Sequence, residues 1–480
     1  MLFMKLSLLL DEIAQTALPD CDVTDVCSDT RKIQKGSLFV CIKGANFDGH
    51  EHAAQALEQG ACAVVCDHPL GTGKEIVVPN TRLAYAKLCA AFCGNPERNM
   101  RFVGVTGTNG KTTTTNLIKS ILTRAGHKVG LVGTIQNEIG DEVVTAHRTT
   151  PDAYELYHLF RRMADAGCDT VVMEVSSHAL DQYRLGELPF DVGVFTNLTQ
   201  DHLDYHKTME AYFQAKCMLF SMTKTALVNV DDPYGKRLTG NAPCEVAGFS
   251  AEEETAAFFA KEIRCSASSV HYILCHDGKE VPVDFGMPGH FSVYNSMTAV
   301  AVCFLMGVPF EQAVHLLVNS MGVKGRSEVI PTGRDFTVIC DYAHTPDGLD
   351  NVLPALKENA KGRLVTLFGC GGDRDRTKRP LMGESAARNS DFVIVTSDNP
   401  RTEDPEAIIQ EILPGVQKYE TPYLVISDRR EAIFYAIQHA QKDDLIVLAG
   451  KGHEDYQVIG TKEIHFDERE VVAEALAALS

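Results

Sequence analysis

The stretch Phe102–Asn116, FVGVTGTNGKTTTTN, decides the architecture of this 480-residue chain. Its first residues form a short apolar run that predicts a buried strand, and apolar residues return at helical spacing from Leu117 onward. The order is therefore strand, glycine-rich loop, helix. Glycines let the backbone turn tightly and aim N–H groups at a phosphate, while the helix N-terminus adds partial positive charge.

The glycine-rich loop predicts a nucleoside triphosphate site. Lys111 can reach the terminal phosphates, and the hydroxyl of Thr112 can hold Mg²⁺. Val105 stands where the P-loop consensus has its first glycine, so a Gly-Lys-Thr turn without function is the alternative. The strand before the loop and the threonine-rich helix start after it favour the nucleotide site.

The composition excludes several classes of protein. A formal charge of −19, from 45 basic and 64 acidic residues, argues against general nucleic-acid binding, which needs an excess of Lys and Arg. Fifteen cysteines, mostly inside apolar runs and without the spacing of a zinc site, predict reduced thiols in a reducing compartment. No apolar run approaches the roughly 20 residues that a membrane span requires. The apolar N-terminus runs into Asp11 without a cleavage site, so we expect an N-terminal helix and a soluble, cytoplasmic protein.

The length of the chain predicts more than one domain. We predict an α/β fold with three domains. Residues 1–98 predict a small N-terminal α/β domain, which ends at the linker Gly94-Asn95-Pro96. Residues 99–324 predict a central P-loop ATPase-like domain with a mostly parallel sheet. Residues 325–480 alternate strands and helices and predict a C-terminal Rossmann-like domain.

Polar residues follow the predicted strands of the central domain. Glu174 closes a buried strand, and the carboxyl end of a parallel strand faces the ligand crevice, so Glu174 is a natural Mg²⁺ partner; a purely structural carboxylate is the alternative. The segment Asp201–His206 is either a metal site, where histidine would also admit Mn²⁺, or a solvated polar turn. In the N-terminal domain Ser28–Arg31 favours a turn over a ligand site. Lys216 alone predicts a surface lysine whose stem covers apolar surface.

Four polar clusters follow four predicted strands of the C-terminal domain. Clusters that lie along one carboxyl edge of a parallel sheet are typical of a ligand crevice. They lack the GxGxxG pattern and the acid that follows it, which disfavours dinucleotide binding. The clusters are Asp341–Asp347, Gly369–Asp375, Ser397–Arg401 and Ala449–Glu454.

Taken together, these motifs resemble the Mur ligase family, the ATP-dependent amide ligases that build the peptide of bacterial peptidoglycan. The likeness covers nearly the whole chain and implies ATP and Mg²⁺ as cofactors, small-molecule substrates and a monomer. The motifs that carry it are Thr106–Thr113, Thr149–Pro151, Glu174–His178, Asn197–Asp204, Asn295, Gly325–Arg326, Asp341–Asp347, Gly372–Pro380, Asp398–Arg401 and Gly450–Gln457.

The resemblance implies a role for individual residues. Those that would bind the nucleotide are Thr106, Gly107, Thr108, Asn109, Gly110, Lys111, Thr112, Thr113, Asn295, Arg326 and Asp341. Those that would hold Mg²⁺ are Thr112, Glu174, His202 and, as a carbamate, Lys216. Those that would carry catalysis are Lys111, Glu174, His202 and Lys216. Those that would bind the UDP-muramoyl dipeptide are Ser28, Thr149, Thr150, Ser176, Gln182 and Arg184. Those that would bind the added amino acid are Arg374, Asp398, Asn399, Pro400, Arg401, Gly450 and Glu454.

Two positions depart from the family pattern. Arg148 replaces the asparagine expected before Thr-Thr-Pro. Ala45-Asn46-Phe47 replaces a differently polar loop on the uridine side, which puts uridine contacts there in question.

The C-terminal clusters favour diaminopimelate over lysine as the added amino acid. Diaminopimelate has a distal carboxylate beside its ammonium, where lysine has the ammonium alone. Arg401 can take a carboxylate with two parallel hydrogen bonds and Arg374 can take another, while Asp398 and Glu454 can accept from an ammonium. Sites built around such a group reject analogues that lack it by roughly 10⁴ or more.

The predicted reaction adds meso-2,6-diaminopimelate to the D-glutamate γ-carboxyl of UDP-N-acetylmuramoyl-L-alanyl-D-glutamate through an acyl phosphate. The same ligation with L-lysine is one alternative. A folylpolyglutamate synthase-like ligase is another, but it would not explain residues 1–98. A nucleotide-switched binding protein is the third, and it has no use for an amino-acid pocket.

Overall fold

The computed structural model describes residues 3–11, 13–44, 47–266, 268–318, 323–358 and 360–479, apart from the side chain of Asp204. Ala45 and Asn46 of the uridine-side loop therefore lie outside the described residues. The chain forms two compact units. The first unit comprises Met1–Gly248 with Val302–Val308, and the second comprises Phe249–Ala301 with Pro309–Ser480.

The first unit contains most of the N-terminal half of the chain. Its strands are β1 Met4–Lys5, β2 Asp22–Val23, β3 Asp25–Cys27, β4 Ser37–Val40, β5 Ala63–Cys66, β6 Glu75–Val77, β7 Arg101–Thr106, β8 Val129–Val132, β9 Gln136–Ile139, β10 Glu142–Thr145, β11 Thr170–Glu174, β12 Phe190–Phe195, β13 Thr223–Asn229 and β14 Glu245–Ser250. Its helices are α1 Leu6–Leu9, α2 Ala53–Glu58, α3 Thr81–Phe92, α4 Lys111–Arg124, α5 Ala153–Asp165, α6 Ser177–Asp181, α7 Leu203–His206, α8 Met209–Cys217 and α9 Pro233–Thr239. Short 3-10 turns lie at Thr30–Lys32, Gly49–His52, Pro96–Asn99 and Met218–Met222.

Two main sheets organise the first unit. Strands β3-β4-β5-β6 form a four-stranded parallel sheet. Within the first unit the larger sheet has the order β10-β9-β8-β11-β7-β12-β13-β14, where β14 ends in residues of the second unit, and its strands β8, β11, β7, β12 and β13 run parallel. The parallel strands are apolar nearly throughout and buried on both faces, as parallel sheets are. Their carboxyl ends, including the end of β7, therefore meet at one edge of the sheet.

The second unit contains an antiparallel meander and a second α/β sheet. Its strands are β15 Phe258–Cys265, β16 Val270–His276, β17 Lys279–Phe285, β18 Glu328–Ile330, β19 Thr337–Asp341, β20 Leu364–Phe368, β21 Phe392–Val395, β22 Tyr423–Val425, β23 Leu445–Ala449, β24 Tyr456–Ile459 and β25 Lys462–His465. Its helices are α10 Phe291–Leu305, which ends in residues of the first unit, α11 Phe310–Val318, α12 Pro346–Lys357, α13 Lys378–Asn389, α14 Pro405–Val416, α15 Arg429–Gln438 and α16 Glu468–Ala477.

The α/β sheet of the second unit has the order β18-β19-β23-β20-β21-β22, and all its strands except β18 are parallel. Alternate residues of β23 face opposite sides: Val447 joins a core with Leu349 and Ile409, and Ile446 joins a core with Ile433. Helices thus cover both faces, and the Rossmann-like prediction is confirmed. The four predicted polar clusters follow β19, β20, β21 and β23, at one edge of this sheet.

Two findings concern the state of the cysteines and the question of a membrane-spanning helix. All fifteen cysteines are free thiols. Within the residues that the structure describes, no helix combines the length and the apolar character that a membrane crossing needs.

Candidate active site

The glycine-rich loop connects the carboxyl end of β7 to the first turn of α4. Gly110 is the N-cap residue of α4 and has a φ of +84°, in the left-handed region that favours glycine. Gly107 has a φ of +148°, and a Cβ there would collide with the side chain of Thr196. Because a helix that begins on glycine has no capping side chain, its first N–H groups can face a phosphate.

The loop is anchored to the residues that follow β12. The backbone N–H groups of Thr108 and Asn109 donate to the carbonyl and side-chain oxygens of Asn197, both at 2.9 Å. The Thr196 hydroxyl donates to the Asn109 carbonyl at 2.7 Å. These bonds fix the loop between two neighbouring parallel strands.

Two lysines share one backbone acceptor in the loop. The Nζ of Lys111 donates to the carbonyls of Gly107 at 2.9 Å and Thr108 at 2.7 Å. The Nζ of Lys216 donates to the same Gly107 carbonyl at 2.8 Å. Lys216 is only 1% exposed, so the prediction of a surface lysine is wrong: α8 places its amine 4.5 Å from the ring of Tyr212. Burial, and then the charge of Lys111, lower the pKa of Lys216 well below its ordinary value.

Glu174 lies beside Thr112, as the two predicted Mg²⁺ ligands should. It ends β11 opposite Val105 of β7 and is 1% exposed. Its carboxylate accepts from the Thr112 hydroxyl at 3.0 Å, and from the N–H and hydroxyl of Thr134 at 2.8 and 3.0 Å. Sequence reasoning missed Thr134, although it follows β8 just as the other polar residues follow their strands.

Predicted dipeptide-binding residues surround the end of β11. The hydroxyl of Thr149 lies 3.0 Å from that of Thr134. The hydroxyl of Thr150 donates to the Glu174 carbonyl at 2.8 Å and accepts from the N–H of Ser176 at 3.0 Å. These residues therefore form one hydrogen-bonded group with the candidate metal ligand.

Arg184 and Gln182 extend this group. Arg184 donates to the Thr150 carbonyl at 2.8 Å and to the Gln182 side-chain oxygen at 3.1 and 2.8 Å. Burial, and then the charge of Arg148, lower the pKa of Arg184. Arg148, which departs from the family pattern, thus acts on the same arginine. Ser28 follows β3 in the smaller sheet. Among the described residues, no hydrogen bond joins Ser28 to this group.

His202 begins the short helix α7 with a φ of +53°. Its ring centroid lies 4.8 Å from that of His178, in an edge-to-face arrangement. Burial is the main cause that lowers the pKa of His202 to about 4. The imidazole is therefore neutral at neutral pH, which is the form that binds a metal.

In the second unit, Arg374 and Arg401 flank Gly371. A Cβ at Gly371 would come within 2.9 Å of the Arg401 guanidinium and 3.7 Å of the Arg374 side chain. Arg401 has a φ of +52° and donates to the Gly372 carbonyl at 2.9 Å. The loops after β20 and β21 thus bring together the two arginines predicted to bind carboxylates.

A buried arginine that the sequence did not single out joins these loops. Arg379 of α13 donates to both carboxylate oxygens of Glu403 at 2.8 and 3.0 Å and to Glu411 at 2.8 Å. It also donates to the Gly371 carbonyl at 3.3 Å. Glu403 accepts from the N–H of Asp373 at 2.5 Å. We call Arg379, Glu403 and Glu411 the Arg379 network.

The predicted acceptors for an ammonium lie nearby. Asn399, which precedes Pro400, donates to Glu454 at 2.9 Å, and the fully buried Lys451 donates to Asn399 at 3.2 Å and to Glu454 at 3.0 Å. Oδ2 of Asp398 is buried without a hydrogen-bond partner among the described residues, and a Cβ on Gly450 would lie 2.7 Å from it. Sequence reasoning selected Gly450 and Glu454 but missed Lys451 between them.

The remaining predicted nucleotide residues also belong to the second unit. Asp341 ends β19 and accepts from the N–H groups of Ser327 at 2.7 Å and Ala343 at 2.8 Å. Burial raises its pKa. The Arg326 guanidinium lies 4.9 Å from the ring of Tyr342, and Asn295 is buried on α10.

The chain belongs to the Mur ligase family, which confirms the resemblance. Residues 22–92 match "Mur ligase family, catalytic domain", residues 105–303 match "Mur ligase middle domain", and residues 325–452 match "Mur ligase, glutamate ligase domain".

Its relatives within the family carry one particular name. The chain is 48% identical to the UDP-N-acetylmuramoyl-L-alanyl-D-glutamate–2,6-diaminopimelate ligase of Caldanaerobacter subterraneus subsp. tengcongensis, with 96% of each chain covered. It is 44% identical to the similarly named ligase 1 of Clostridium acetobutylicum, with 95% of each covered. A solved structure of a UDP-N-acetylmuramoyl-L-alanyl-D-glutamate–2,6-diaminopimelate ligase matches with a TM-score of 0.74 at 32% identity, over 99% of both chains.

Proposed function

We propose that this chain is an ATP-dependent, ADP-forming ligase of peptidoglycan synthesis. It joins meso-2,6-diaminopimelate to the γ-carboxyl of D-glutamate in UDP-N-acetylmuramoyl-L-alanyl-D-glutamate. The observation that carries the proposal is the identity of 48% over nearly the full length to a ligase named for this reaction. ATP and nucleotide-linked precursors are cytoplasmic compounds, so we expect the reaction in the cytoplasm.

The glycine-rich loop would hold the phosphates of ATP, with Lys111 near the terminal ones. Thr112, Glu174 and His202 would hold Mg²⁺. The surroundings of Glu174 support this, because its three hydrogen-bond donors among the described residues are neutral groups and a buried charge is costly unless it is paired. Bound Mg²⁺ supplies charge neutralisation at the phosphate oxygens.

Lys216 would act as a carbamate. Its neutral amine would attack the carbon of CO₂ and lose one proton, which leaves a carboxylate on nitrogen. Burial lowers its pKa and so favours the neutral amine that this step needs. The modification would also replace two amines that donate to one carbonyl oxygen by an ion pair between Lys111 and the carbamate of Lys216. A carboxylate at this place could hold a second Mg²⁺.

The reaction proceeds in two steps. An oxygen of the D-glutamyl γ-carboxylate attacks the γ-phosphorus of ATP, and the bond to the bridging oxygen breaks, which gives an acyl phosphate and ADP. The amine of diaminopimelate then attacks the acyl carbon, phosphate leaves, and the nitrogen loses a proton. The chain contributes mainly positioning and charge: Thr149, Thr150 and Arg184 would hold the dipeptide.

The loops after β20, β21 and β23 would select the amino acid. Arg401 and Arg374 would bind the distal carboxylate of diaminopimelate. Asp398 would accept from the ammonium beside it, and its buried Oδ2, which has no partner among the described residues, supports this role.

Phosphate release from ATP tests the proposal. With UDP-N-acetylmuramoyl-L-alanyl-D-glutamate present, we expect release with meso-diaminopimelate, and little with L-lysine or without an amine. Equal or greater release with L-lysine would keep the ligation but overturn the amino-acid assignment. The same slow release in all three reactions would overturn the ligase.

A further inference from the structure

We propose that the first unit carries a transition-metal site built from His50, Asp67 and His68. His50 lies in the 3-10 turn Gly49–His52, and the other two residues follow the carboxyl end of β5 in the four-stranded sheet. The three side chains offer ligand atoms that all lie within 4.8 Å of one another.

The strongest indication is the orientation of His50, whose side chain is 8% exposed. Its Nδ1 lies 2.6 Å from Oδ1 of Asp48, the residue that caps the same turn. When Nδ1 donates to Asp48, Nε2 carries a lone pair. This nitrogen is buried and has no hydrogen-bond partner among the described residues.

In this tautomer the Nε2 lone pair of His50 faces a carboxylate oxygen, Oδ1 of Asp67, at 3.2 Å. Two electron-rich atoms in this position repel each other unless a proton or a metal ion lies between them, and we propose the metal ion. A carboxylate that orients an imidazole through its other nitrogen is also the usual support of a metal-binding histidine. Asp48 and His50 have this relation, so the pair is prepared to bind a metal.

The distance between Nε2 of His50 and Oδ1 of Asp67 fits a small tetrahedral ion. In a zinc site with bonds of about 2.0–2.2 Å, neighbouring ligand atoms are roughly 3.3–3.6 Å apart, close to the separation of His50 and Asp67. His68 is 59% exposed, its Nδ1 lies 2.5 Å from Oδ1 of Asp67, too close for two ligands of one ion, and its ring stacks on that of His50 at 4.9 Å. Rotation of this exposed side chain lets it serve as the third ligand, and water can fill the fourth position.

The ligand set defines the class of metal. Two imidazoles and one carboxylate suit Zn²⁺, Co²⁺, Ni²⁺ or Cu²⁺, whereas Mg²⁺ prefers oxygen ligands alone. The site is therefore chemically different from the proposed Mg²⁺ site at Thr112 and Glu174. A bound ion would tie the turn Gly49–His52 to the end of β5 and stabilise the four-stranded sheet.

A titration with Co²⁺ tests the site. The full chain is kept reduced with a phosphine, held in excess Mg²⁺ and titrated while its visible absorption and its thermal unfolding are followed. We expect one Co²⁺ per chain, d–d absorption without thiolate-to-cobalt charge transfer, and a raised unfolding midpoint.

The variants Asp67→Asn and His68→Ala change exposed side chains and should fold. Each should weaken Co²⁺ binding at least tenfold. Asp48→Asn keeps a side-chain oxygen that can cap the turn but removes the carboxylate that supports His50, and it should weaken binding by roughly 10–100-fold. The matched control is His271→Ala, which removes an exposed histidine paired with the single carboxylate of Asp284 and should change nothing.

Three results would overturn the site. They are no saturable binding of Co²⁺, binding with thiolate charge transfer alone, and affinity that is the same in Asp67→Asn, His68→Ala and the unaltered chain. In each case a proton on His50 Nε2, and not a metal, would bridge the imidazole to Asp67.

Discussion

Replacement of Arg401 should lower the selectivity of the ligase for diaminopimelate over L-lysine. Arg401 donates to the Gly372 carbonyl at 2.9 Å, and its left-handed φ of +52° is as unfavourable for lysine and alanine as for arginine. Arg401→Lys and Arg401→Ala therefore keep the same backbone strain as the unaltered chain. Lysine preserves the charge but offers a compact donor in place of the planar fork of arginine.

The size of the effect follows from the two hydrogen bonds that Arg401 can make to the distal carboxylate. Each charge-assisted bond contributes about 1.5–3 kcal/mol, so both contribute about 3–6 kcal/mol. At about 1.36 kcal/mol for each factor of ten, Arg401→Ala should lower kcat/KM for diaminopimelate by roughly 10²–10⁴. Arg401→Lys should lower it by only about 10–10²-fold, because one bond and the charge remain and one bond of about 1.5–3 kcal/mol is lost.

Phosphate release at low amino-acid concentration measures kcat/KM for each amino acid. L-Lysine lacks the distal carboxylate, so its kcat/KM should change much less, and the KM for ATP should stay the same. Arg388→Ala is the matched control, since it removes an exposed arginine that pairs with Asp350 at 2.6 Å. An equal loss of kcat/KM for both amino acids in Arg401→Ala, or no loss for either, would leave the ratio of the two kcat/KM values unchanged and would refute the reasoning.

Three further predictions concern single side chains. Lys111→Ala should abolish turnover and leave the thermal unfolding midpoint nearly unchanged, and near-normal phosphate release would remove the nucleotide assignment. In ¹³C-bicarbonate, NMR should show a carbamate carbon that is lost in Lys216→Met and retained in the exposed control Lys224→Met; a signal that survives in Lys216→Met would exclude the modification. Burial lowers the pKa of His453 from its ordinary value of 6.5 to about 3. Below pH 6.5 the unfolded chain therefore binds more protons than the folded chain, and the stability of the folded chain falls as the pH falls. Between pH 7 and pH 5 the unaltered chain should lose roughly 2 kcal/mol more than His453→Gln in denaturant unfolding, and equal losses would contradict the burial of this neutral ring.

The residues at the carboxyl ends of parallel strands could be predicted from the sequence. Lys111, Thr112 and Glu174 follow buried strands, and a parallel register brings such residues to one edge whatever their separation along the chain. The same reasoning placed Arg401 and Asp398 in the second unit. The local sequence pattern was sufficient to predict these residues because each of them lies at the end of a strand or in the loop that directly follows it.

Features that depend on distant contacts could not be predicted in this way. Lys216 has the local pattern of a surface lysine, but its amine is buried against the Gly107 carbonyl, more than one hundred positions away. Arg379 lies inside a helix where nothing in the sequence separates it from an exposed arginine. The N-terminal helix is only Leu6–Leu9, because Met4–Lys5 pairs with Asp22–Val23 as a strand.

The Arg379 network holds together the segments that would form the proposed amino-acid pocket. One guanidinium bonds at once to two carboxylates and to the Gly371 carbonyl, so the segments that bear Arg374 and Arg401 are locked together in advance. Ordering loops and side chains on binding costs conformational entropy, about 0.5–1.5 kcal/mol for each side chain, and this network orders the loop backbone already during folding. Weakening it at Glu411 would leave every predicted ligand contact chemically intact and would still shorten the time that the amino acid stays bound.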